Sequence, residues 1–453
     1  MQNKTTEIFK NAPIPKAVIS NVIPSIISMI MVLVYNLADT FFIGKTNNAL
    51  MVAAVTIATP AFLIFMAIGM LFGIGGTSLI SRMLGEGRES RAKNASAFCF
   101  WTGLVVGIIS LAVMYIFARP LCMVIGASDA TIDYAAQYLK IVSLSIPFLI
   151  ISNAFSNIIR AEGNAKIAMT GMILGNLANI ILDPIMILGF DWNIAGAAIA
   201  TVVGNVFSAI FYIAHLVSKK CMLSIKLKDY KATDKIAFDV LAIGIPASLN
   251  SILMSISNIL INNEMTDFGD MAVAGLGVAM KVNMIVVMLL IGLGTGVQPL
   301  LGYCYGAGNK KRYFGVLKFS ALLAISLSLI MTVICYLGAS GLVREFLNEP
   351  DAFNYAFSFS RIYIISGPIL GILFLFVNAI QSTGAAIPSL ILSISRQGLL
   401  FVPILYTICH LTDSARMIAY AQPVTDYFAT ALAIILFAIT CKKKFKKEEN
   451  QTN

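Results

Sequence analysis

Long apolar stretches separated by short polar ones dominate the pattern along this chain. Within each stretch apolar residues follow one another without the strict alternation of a β-strand. About 20 residues of α-helix cross the hydrocarbon core of a bilayer, so each stretch can form a membrane-spanning helix, and longer ones should tilt or bend. The predicted spans are residues 18–43, 50–80, 95–117, 135–158, 167–189, 195–217, 237–262, 272–303, 315–340, 355–380, 388–409 and 417–440.

The most informative polar residues lie inside the fifth predicted span, in the sequence GNLANIILDPIMILG. Asn176, Asn179 and Asp183 are spaced at i, i+3 and i+7, which places them on one helical face. A carboxylate inside a bilayer helix costs about 2.5–3.5 kcal/mol even on insertion scales, and this cost favours a functional role. Pro184 should kink the helix and free the carbonyl of Ile180 as an acceptor. The alternative is that Asp183 only caps a helix end near the interface.

A second acid lies in the first predicted span. Asn36 and Asp39, at i and i+3, share one face of that helix. If the first and fifth spans both run outward, Asp39 and Asp183 lie at similar depth. Thr201 and Asn205, at i and i+4 in the sixth span, could reach both acids. The pattern therefore predicts a polar cluster in the amino-terminal half of the chain.

Composition identifies an integral membrane protein. Of the 453 residues, 58% are hydrophobic and 12% are charged, whereas an average soluble domain has about 25% charged residues. The net charge of +10 does not indicate nucleic-acid binding, because the basic residues lie in short loops between apolar runs. Their alternation between richer and poorer loops follows the positive-inside rule, so both termini and the segment 218–236 should be cytoplasmic. We expect a plasma-membrane protein that works as a monomer.

No cofactor or metal site is predicted from the residues that usually form one. The sequence has no G-x-x-x-x-G-K-[ST] phosphate loop, and its loops are too short for a nucleotide-binding domain. The seven cysteines form no C-x-x-C pair, so we expect free thiols. His215 and His410 lie far apart in the sequence, which argues against a metal centre.

The two halves of the chain repeat each other at an offset near 221 residues. Glycine-containing loops, LGEGRESR (84–91) and YGAGNKKR (305–312), fall on each other at this offset. We expect them to be cytoplasmic elbows, with Gly85 and Gly306 in a left-handed conformation. Two repeats of six spans imply two bundles related by a pseudo-twofold axis along the membrane normal. The predicted organisation is an amino-terminal lobe 1–217, a connector 218–236, a carboxy-terminal lobe 237–441 and a basic tail 442–453.

The carboxy-terminal half has its own charged residues inside apolar runs. Lys281 and Asp426 are both flanked by apolar sequence. They could pair with each other, or Lys281 could extend its ammonium group to the interface. Together with Tyr138, Asn176 and Asn205 they are candidates for the substrate cavity. For Tyr138 the alternative is a place in the interfacial aromatic belt.

The chain resembles the multidrug and toxic compound extrusion (MATE) family, in particular its bacterial DinF-like and MepA-like members, over roughly residues 10–440. The likeness rests on NLADTFFIG, the LGEG and YGAG loops, NIILDPIMILGF and NIAGAAIATVVGN. It implies two six-helix bundles that export cationic, amphipathic compounds in exchange for protons or sodium ions. It also implies a cation site at Asp39, Asn179, Asp183 and Thr201, with Tyr138 beside it. Some MepA-like relatives carry an amide at the position of Asp39.

Simple electrostatics agrees with a coupling site at the two acids. Burial and repulsion between neighbouring carboxylates favour a shared proton near neutral pH. Asn36 and Asn179 could then orient the two acids. If the ion is sodium, the same oxygens could ligate it at Asp39, Asp183, Asn179 and Thr201.

Other functions remain open on the sequence alone. A flippase for lipid-linked sugars would need several cations in its cleft, for which only Lys281, Arg361 and Arg396 are candidates. A membrane enzyme would need a polar catalytic cluster at an interface, and the nearest is the acidic loop 262–270. We therefore expect a transporter and no enzymatic activity.

Overall fold

The computed structural model describes residues 4–44, 49–218, 221–233, 235–347 and 349–452, and these residues are almost entirely helical. Among the described residues, ten helices are long and apolar enough to cross a membrane, and the number becomes twelve if each of two bent pairs forms one span. Each predicted span overlaps one of these segments, so the all-α, twelve-span prediction is confirmed. The helices are α1 (Lys4–Asn11), α2 (Ile14–Gly44), α3 (Ala49–Gly85), α4 (Glu89–Ile116), α5 (Ala118–Ile125), α6 (Ile132–Ser143), α7 (Ile146–Ala161), α8 (Ala165–Pro184), α9 (Asn193–Val217), α10 (Ile236–Thr266), α11 (Asp270–Gly306), α12 (Lys310–Arg344), α13 (Pro350–Ile364), α14 (Gly367–Ser382), α15 (Ala386–Ile394), α16 (Phe401–Leu411), α17 (Ala415–Ala419) and α18 (Ala421–Thr452).

Two spans are broken at equivalent places in the two halves. Helices α6 and α7 meet at an angle of 54°, and α13 and α14 meet at 51°. Pro147 and Pro368 each lie in the first turn of the second helix of the pair. A proline fits the first turn of a helix but cannot continue a preceding one, because it has no backbone N–H. The bends therefore follow from the sequence repeat.

Two short π-helical turns also interrupt spans. Residues Ile185–Gly189 form one turn directly after Pro184, and Ser395–Leu399 form the other between α15 and α16. In the first, the N–H of Phe190 donates to the carbonyl of Ile185 at 2.9 Å, five residues back. The kink expected beside Asp183 thus takes the form of a π turn, a feature that is frequent at functional sites.

The chain divides into two compact units. One contains Met1–Ala12 and Ile27–Ser248, and the other contains Pro13–Ile26 and Leu249–Asn453. The first half of α2 therefore belongs with the carboxy-terminal helices, and the first half of α10 belongs with the amino-terminal ones. The units differ in this respect from the lobes 1–217 and 237–441 that the sequence suggested.

The elbow glycines correct one detail of the sequence prediction. Gly87 and Gly308 have φ of +74° and +64°, whereas Gly85 and Gly306 end their helices without positive φ. After Gly87, the N–H of Arg88 donates to the carbonyl of Met83 at 2.8 Å, five residues back. This bond caps the last turn of α3, and it requires a left-handed residue just beyond the helix end. The prediction for Gly85 and Gly306 was wrong, because the helices extend to these residues.

Candidate functional site

A close crossing of α8 and α9 positions the polar residues of both helices. A Cβ atom added at Gly204 would lie only 2.7 Å from the carbonyl oxygen of Gly175. Both positions therefore need glycine, which lets two helix backbones approach closely. One turn beyond Gly175, Asn179 faces Thr201 on the neighbouring helix. The sequence spacing alone did not show that these two side chains touch.

The amide of Asn179 connects α9 to Asp183. Turned so that its oxygen and nitrogen both find partners, it donates to Asp183 Oδ2 at 3.0 Å and accepts from the backbone N–H of Thr201 at 3.1 Å. In the opposite orientation its nitrogen donates to Thr201 Oγ1 at 3.3 Å instead. We adopt the first orientation, because amide direction is assigned from the hydrogen-bond network that it satisfies. Asn179 is then a hydrogen-bond donor to the carboxylate.

Asp183 and Asp39 each keep one oxygen without a partner. The side chain of Asp183 is fully buried, with 0% of its surface exposed. Asp183 Oδ1 and Asp39 Oδ1 are buried and accept no hydrogen bond from the described residues. The two carboxyl groups are near enough for their charges to interact. Leaving a buried acceptor unpaired costs about 1–3 kcal/mol, so both oxygens are unfavourably placed as they stand.

Two tyrosines complete this cluster. Tyr35 lies one turn before Asp39 on α2, and its hydroxyl is close enough to Thr201 to interact with it. Tyr138, on α6, is close enough to interact with the charges of Asp39 and Asp183. The bend between α6 and α7 sets the direction of the helix that carries Tyr138.

These residues border a cavity of about 380 Å³ within residues 27–248. The size falls in the range of roughly 300–1,000 Å³ that is usual for small-molecule sites. Asp183 lies one turn behind its wall, in contact with Asn179. The polar side chains of the lining are Tyr35, Asn36, Asp39, Thr40, Tyr138, Ser152, Asn153, Ser156, Asn176, Asn179, Thr201, Asn205, Ser208 and Tyr212, and the apolar ones include Val32, Ile43, Val55, Phe62, Leu63, Met66, Leu139, Val142, Leu149 and Met172.

Comparison with known proteins identifies the family. The MatE family model matches the chain twice, over residues 24–185 and 246–407, once in each sequence repeat. The chain belongs to the MATE family. The chain is 31% identical over 407 residues to the multidrug export protein MepA of Staphylococcus aureus strain MSSA476, covering 90% of both chains. It is also 31% identical to MepA of Staphylococcus haemolyticus over 409 residues, again covering 90% of each.

Solved structures agree on the fold of this MATE chain. A MATE crystal structure in complex with MaL6 has a TM-score of 0.93 at 24% identity, covering 98% of this chain and 100% of that one. A transporter of the MOP superfamily from Pyrococcus furiosus has a TM-score of 0.92 at 24% identity, with 98% and 99% covered. The resemblance inferred from the sequence is therefore confirmed, and the chain is a multi-pass membrane transporter of the MATE family.

The structure brings most of the predicted site residues of this MATE chain to one place. Seven line the cavity and Asp183 contacts one of them; the seven are Asn36, Asp39, Tyr138, Asn176, Asn179, Thr201 and Asn205. Asn176 Nδ2 has no partner among the described residues, while Asn205 Nδ2 donates to the carbonyl of Thr201 at 3.0 Å. The role of these residues in ion or substrate binding stays a prediction.

Asp426 and Lys281 belong to the other unit and do not pair with each other. Asp426 is 1% exposed and accepts from Arg396 Nε at 3.1 Å, from Gln422 at 3.1 Å and from Ser366 at 3.1 Å. Lys281 places its ammonium group 5.4 Å from the ring centre of Phe346. The predicted alternative of an Asp426–Lys281 pair was wrong, because the π turn at Ser395–Leu399 carries Arg396 to the acid.

Sequence reasoning missed Tyr35. The signal was present, since Tyr35 precedes Asp39 by four residues and so shares its helical face. The predicted site residues were mainly acids and amides, and Tyr35 was not among them. Arg396 was considered only as an anion-binding residue of a flippase cleft, although it forms a buried ion pair with Asp426.

Proposed function

We propose that this chain is a secondary active transporter that exports hydrophobic organic cations in exchange for protons, by alternating access. The observation that carries the proposal is the pair of carboxyl groups, Asp39 and Asp183, each with an unpartnered buried oxygen beside a 380 Å³ cavity. The relatives named multidrug export protein MepA support export of drugs as the activity.

The polarity of the cavity favours a cationic substrate. No lysine or arginine is among the residues found to line it in the described part of the chain, whereas Asp39 is. Tyr35, Tyr138 and Phe62 add aromatic rings, which attract organic cations through their negative faces. The Pyrococcus furiosus relative is described as having a binding pocket of reverse polarity and a different function. A flippase is less well supported, since Arg396 pairs with Asp426 and Arg361 lies 4.4 Å from the ring centre of Phe357, both in the other unit.

A proton fits the arrangement around Asp183 better than sodium does. Sodium would require several oxygens to converge, but Asn179 turns its N–H, not its carbonyl oxygen, toward the carboxylate. A protonated Asp183 keeps this hydrogen bond on one oxygen and no longer carries a buried negative charge. The same residues would ligate sodium only after the amide of Asn179 turned over. The sodium alternative therefore requires the carbonyl oxygen of Asn179 to face Asp183.

The energetics of one proton suffice for drug efflux. Moving one charge through 100 mV is worth about 2.3 kcal/mol. The potential acts equally on a proton and on a monovalent cation that cross in opposite directions, so a one-for-one exchange is driven by the pH difference alone. Each pH unit, worth about 1.4 kcal/mol, then sustains a cation gradient of about tenfold. In such a cycle, protonation of the acid pair neutralises the charge that held the cation and so releases it. Loss of the proton on the other side restores the site.

The proposal is tested by transport of an ethidium-like cation into inverted membrane vesicles, with proton and sodium gradients imposed separately. We expect uptake to follow the proton gradient. Asp183→Asn preserves shape but removes the titrating group, so this variant should reach the membrane normally and lose gradient-driven transport. Asp39→Asn should be milder, because Asp39 lies at the cavity wall and is less deeply buried.

The matched control is Asp133→Asn, which changes an exposed acid bonded to Arg119 at the surface. It should transport at the wild-type rate. Full gradient-driven transport by Asp183→Asn would contradict the assignment of the ion site. Uptake driven only by sodium would support the alternative in which Asn179 is turned over.

A further inference from the structure

Three side chains of different metal-binding chemistry converge outside the cavity. Glu162 directly follows α7, His215 lies in the last turn of α9, and Cys221 lies four residues beyond the end of that helix. One potential ligand atom from each residue lies within 4.8 Å of the other two. All three residues belong to the unit that contains Ile27–Ser248.

The distances are close to those of a metal centre. Glu162 Oε1 lies 2.9 Å from His215 Nε2 and 3.6 Å from Cys221 Sγ. A tetrahedral zinc ion with bonds of about 2.0–2.3 Å holds its ligand atoms roughly 3.3–3.7 Å apart. Shifts of a few tenths of an ångström at His215 and Cys221 would therefore open the centre.

Glu162 is held for this role by two further hydrogen bonds. Its side chain is 0% exposed, and it accepts from Asn164 Nδ2 at 2.6 Å and from the backbone N–H of Met222 at 3.0 Å. Metal ligands characteristically have such outer partners, which fix the orientation of the ligand. A metal ion would replace only the contacts of Glu162 with His215 and Cys221, while the bonds to Asn164 and Met222 stay in place.

We propose that Glu162, His215 and Cys221 form a binding site for a divalent transition-metal cation, best matched by zinc, with water as the fourth ligand. Nitrogen, sulfur and oxygen donors in tetrahedral number are the set that zinc takes. Cys221 coordinates as the thiolate, so its proton leaves to bulk water, and His215 coordinates through Nε2 as the neutral ring. No atom changes oxidation state.

The site is distinct from the transport cavity and does not depend on the proposed function. Burial, followed by the negative charge of Glu162, raises the pKa of the Cys221 thiol, so in the metal-free cluster the S–H group donates to Glu162. A bound metal would replace these bonds by stronger ones and fix the start of the segment 221–233 to the ends of α7 and α9. The metal is thus a stabiliser of the connector between the two sequence repeats.

The experiment uses the full-length protein in detergent, stripped with a chelator and dialysed against zinc or cobalt. We expect about one metal per chain by elemental analysis. The cobalt form should show the near-ultraviolet sulfur-to-metal charge-transfer band and the visible bands of a tetrahedral centre. Cys221→Ser should abolish the charge-transfer band, and both Cys221→Ser and His215→Gln should weaken zinc binding at least tenfold.

Matched controls are Cys441→Ser and His410→Gln, which change the same residue types elsewhere and should leave binding and spectrum unchanged. Size-exclusion profiles establish that each variant is folded. The proposal is overturned if the folded wild-type protein binds no metal, or if Cys221→Ser and His215→Gln bind it as tightly as the wild type. In either case the cluster is a hydrogen-bond network that only anchors Met222.

Discussion

The position of the Asp183 carboxylate is set by Asn179 on α8, which also contacts Thr201 on α9. Asn179 donates to one carboxylate oxygen, and the other oxygen has no partner among the described residues. Asp39 is less buried and faces the cavity. The two acids are therefore not equivalent, because water cannot reach the carboxylate of Asp183 to solvate its charge.

At the same scale, the hydroxyl of Tyr35 offers a test of how Thr201 is held. Tyr35→Phe keeps the ring that lines the cavity but removes the hydroxyl that interacts with Thr201. A neutral hydrogen bond contributes about 1 kcal/mol, so gradient-driven transport should fall by up to about fivefold while binding of the cation changes less. Vesicle transport and dye-binding titration measure the two effects separately.

The control for Tyr35→Phe is Tyr427→Phe, which removes an exposed hydroxyl that donates to the carbonyl of Ile365 in the other unit. That change should leave transport unaffected. If Tyr35→Phe weakens cation binding as strongly as it slows transport, the hydroxyl serves the substrate directly instead of the polar cluster.

At the scale of helices, the bends and π turns that interrupt the spans lie close to the polar residues described above. The 54° bend and the two π turns occur in segments that carry Tyr138, Asp183 or Arg396, and the 51° bend lies at Ser366, which donates to Asp426. The elbows after α3 and α11 repeat each other, with left-handed glycines at 87 and 308. These features let long apolar helices change direction without leaving backbone groups unpaired.

The elbows give a prediction at this scale. Gly87→Val should destabilise the protein by about 1–2 kcal/mol, because a residue with a Cβ is strained in the left-handed region. Nothing lies within 4 Å of an added Cβ at this position, so the effect comes from the backbone alone. We expect a lower unfolding temperature in detergent and slower turnover with unchanged substrate preference.

Gly85→Ala is the matched substitution, since Gly85 is helical and tolerates a Cβ on backbone grounds. It should have little effect on the unfolding temperature. A Gly87→Val variant that is as stable as the wild type, or one with altered substrate preference, would contradict the interpretation of this loop as a mechanical elbow.

At the scale of the whole molecule, the two sequence repeats do not separate cleanly into the two compact units. Residues 14–26 of α2 group with the second unit, and residues 236–248 of α10 group with the first. Both divisions lie just after a proline inside the helix, Pro24 and Pro246. A helix is weakest where proline removes a backbone hydrogen bond, so these are natural points for its two halves to pack differently.

Topology is the prediction that belongs to this scale. The distribution of basic loops predicts that both termini and the connector are cytoplasmic. The sequence suggested Asn47 as an external position, but it lies outside the described residues, so Asp129 in the loop between α5 and α6 replaces it. In a background without reactive cysteines, Asp129→Cys should be labelled by an impermeant reagent on intact cells, and Thr233→Cys should not.

Labelling in the opposite sense would invert the orientation of every span and place the Glu162 cluster outside the cell. Permeabilised cells provide the control, since both cysteines should then react. Both residues are exposed in the structure, so failure to label is not explained by burial.

The class, the spans, the repeat and most of the polar cluster follow from the amino-acid sequence alone. These properties depend on local quantities: the length of apolar runs, the cost of a carboxylate in lipid, and helical spacing that puts Asn176, Asn179 and Asp183 on one face. Family motifs then connected Asp39 with Thr201. Pairings across helices were not determined in this way, because spacing fixes a face but not what the face meets.

Those pairings depend on how the helices pack against one another. The contact of Gly175 with Gly204 brings Asn179 to Thr201, and a π turn carries Arg396 to Asp426. The ends of α7 and α9, which are distant in sequence, meet so that His215 and Cys221 contact Glu162. The sequence argument against a metal centre compared only the two histidines. Side chains from different helices become neighbours through packing, and packing depends on the shapes of all the helices together.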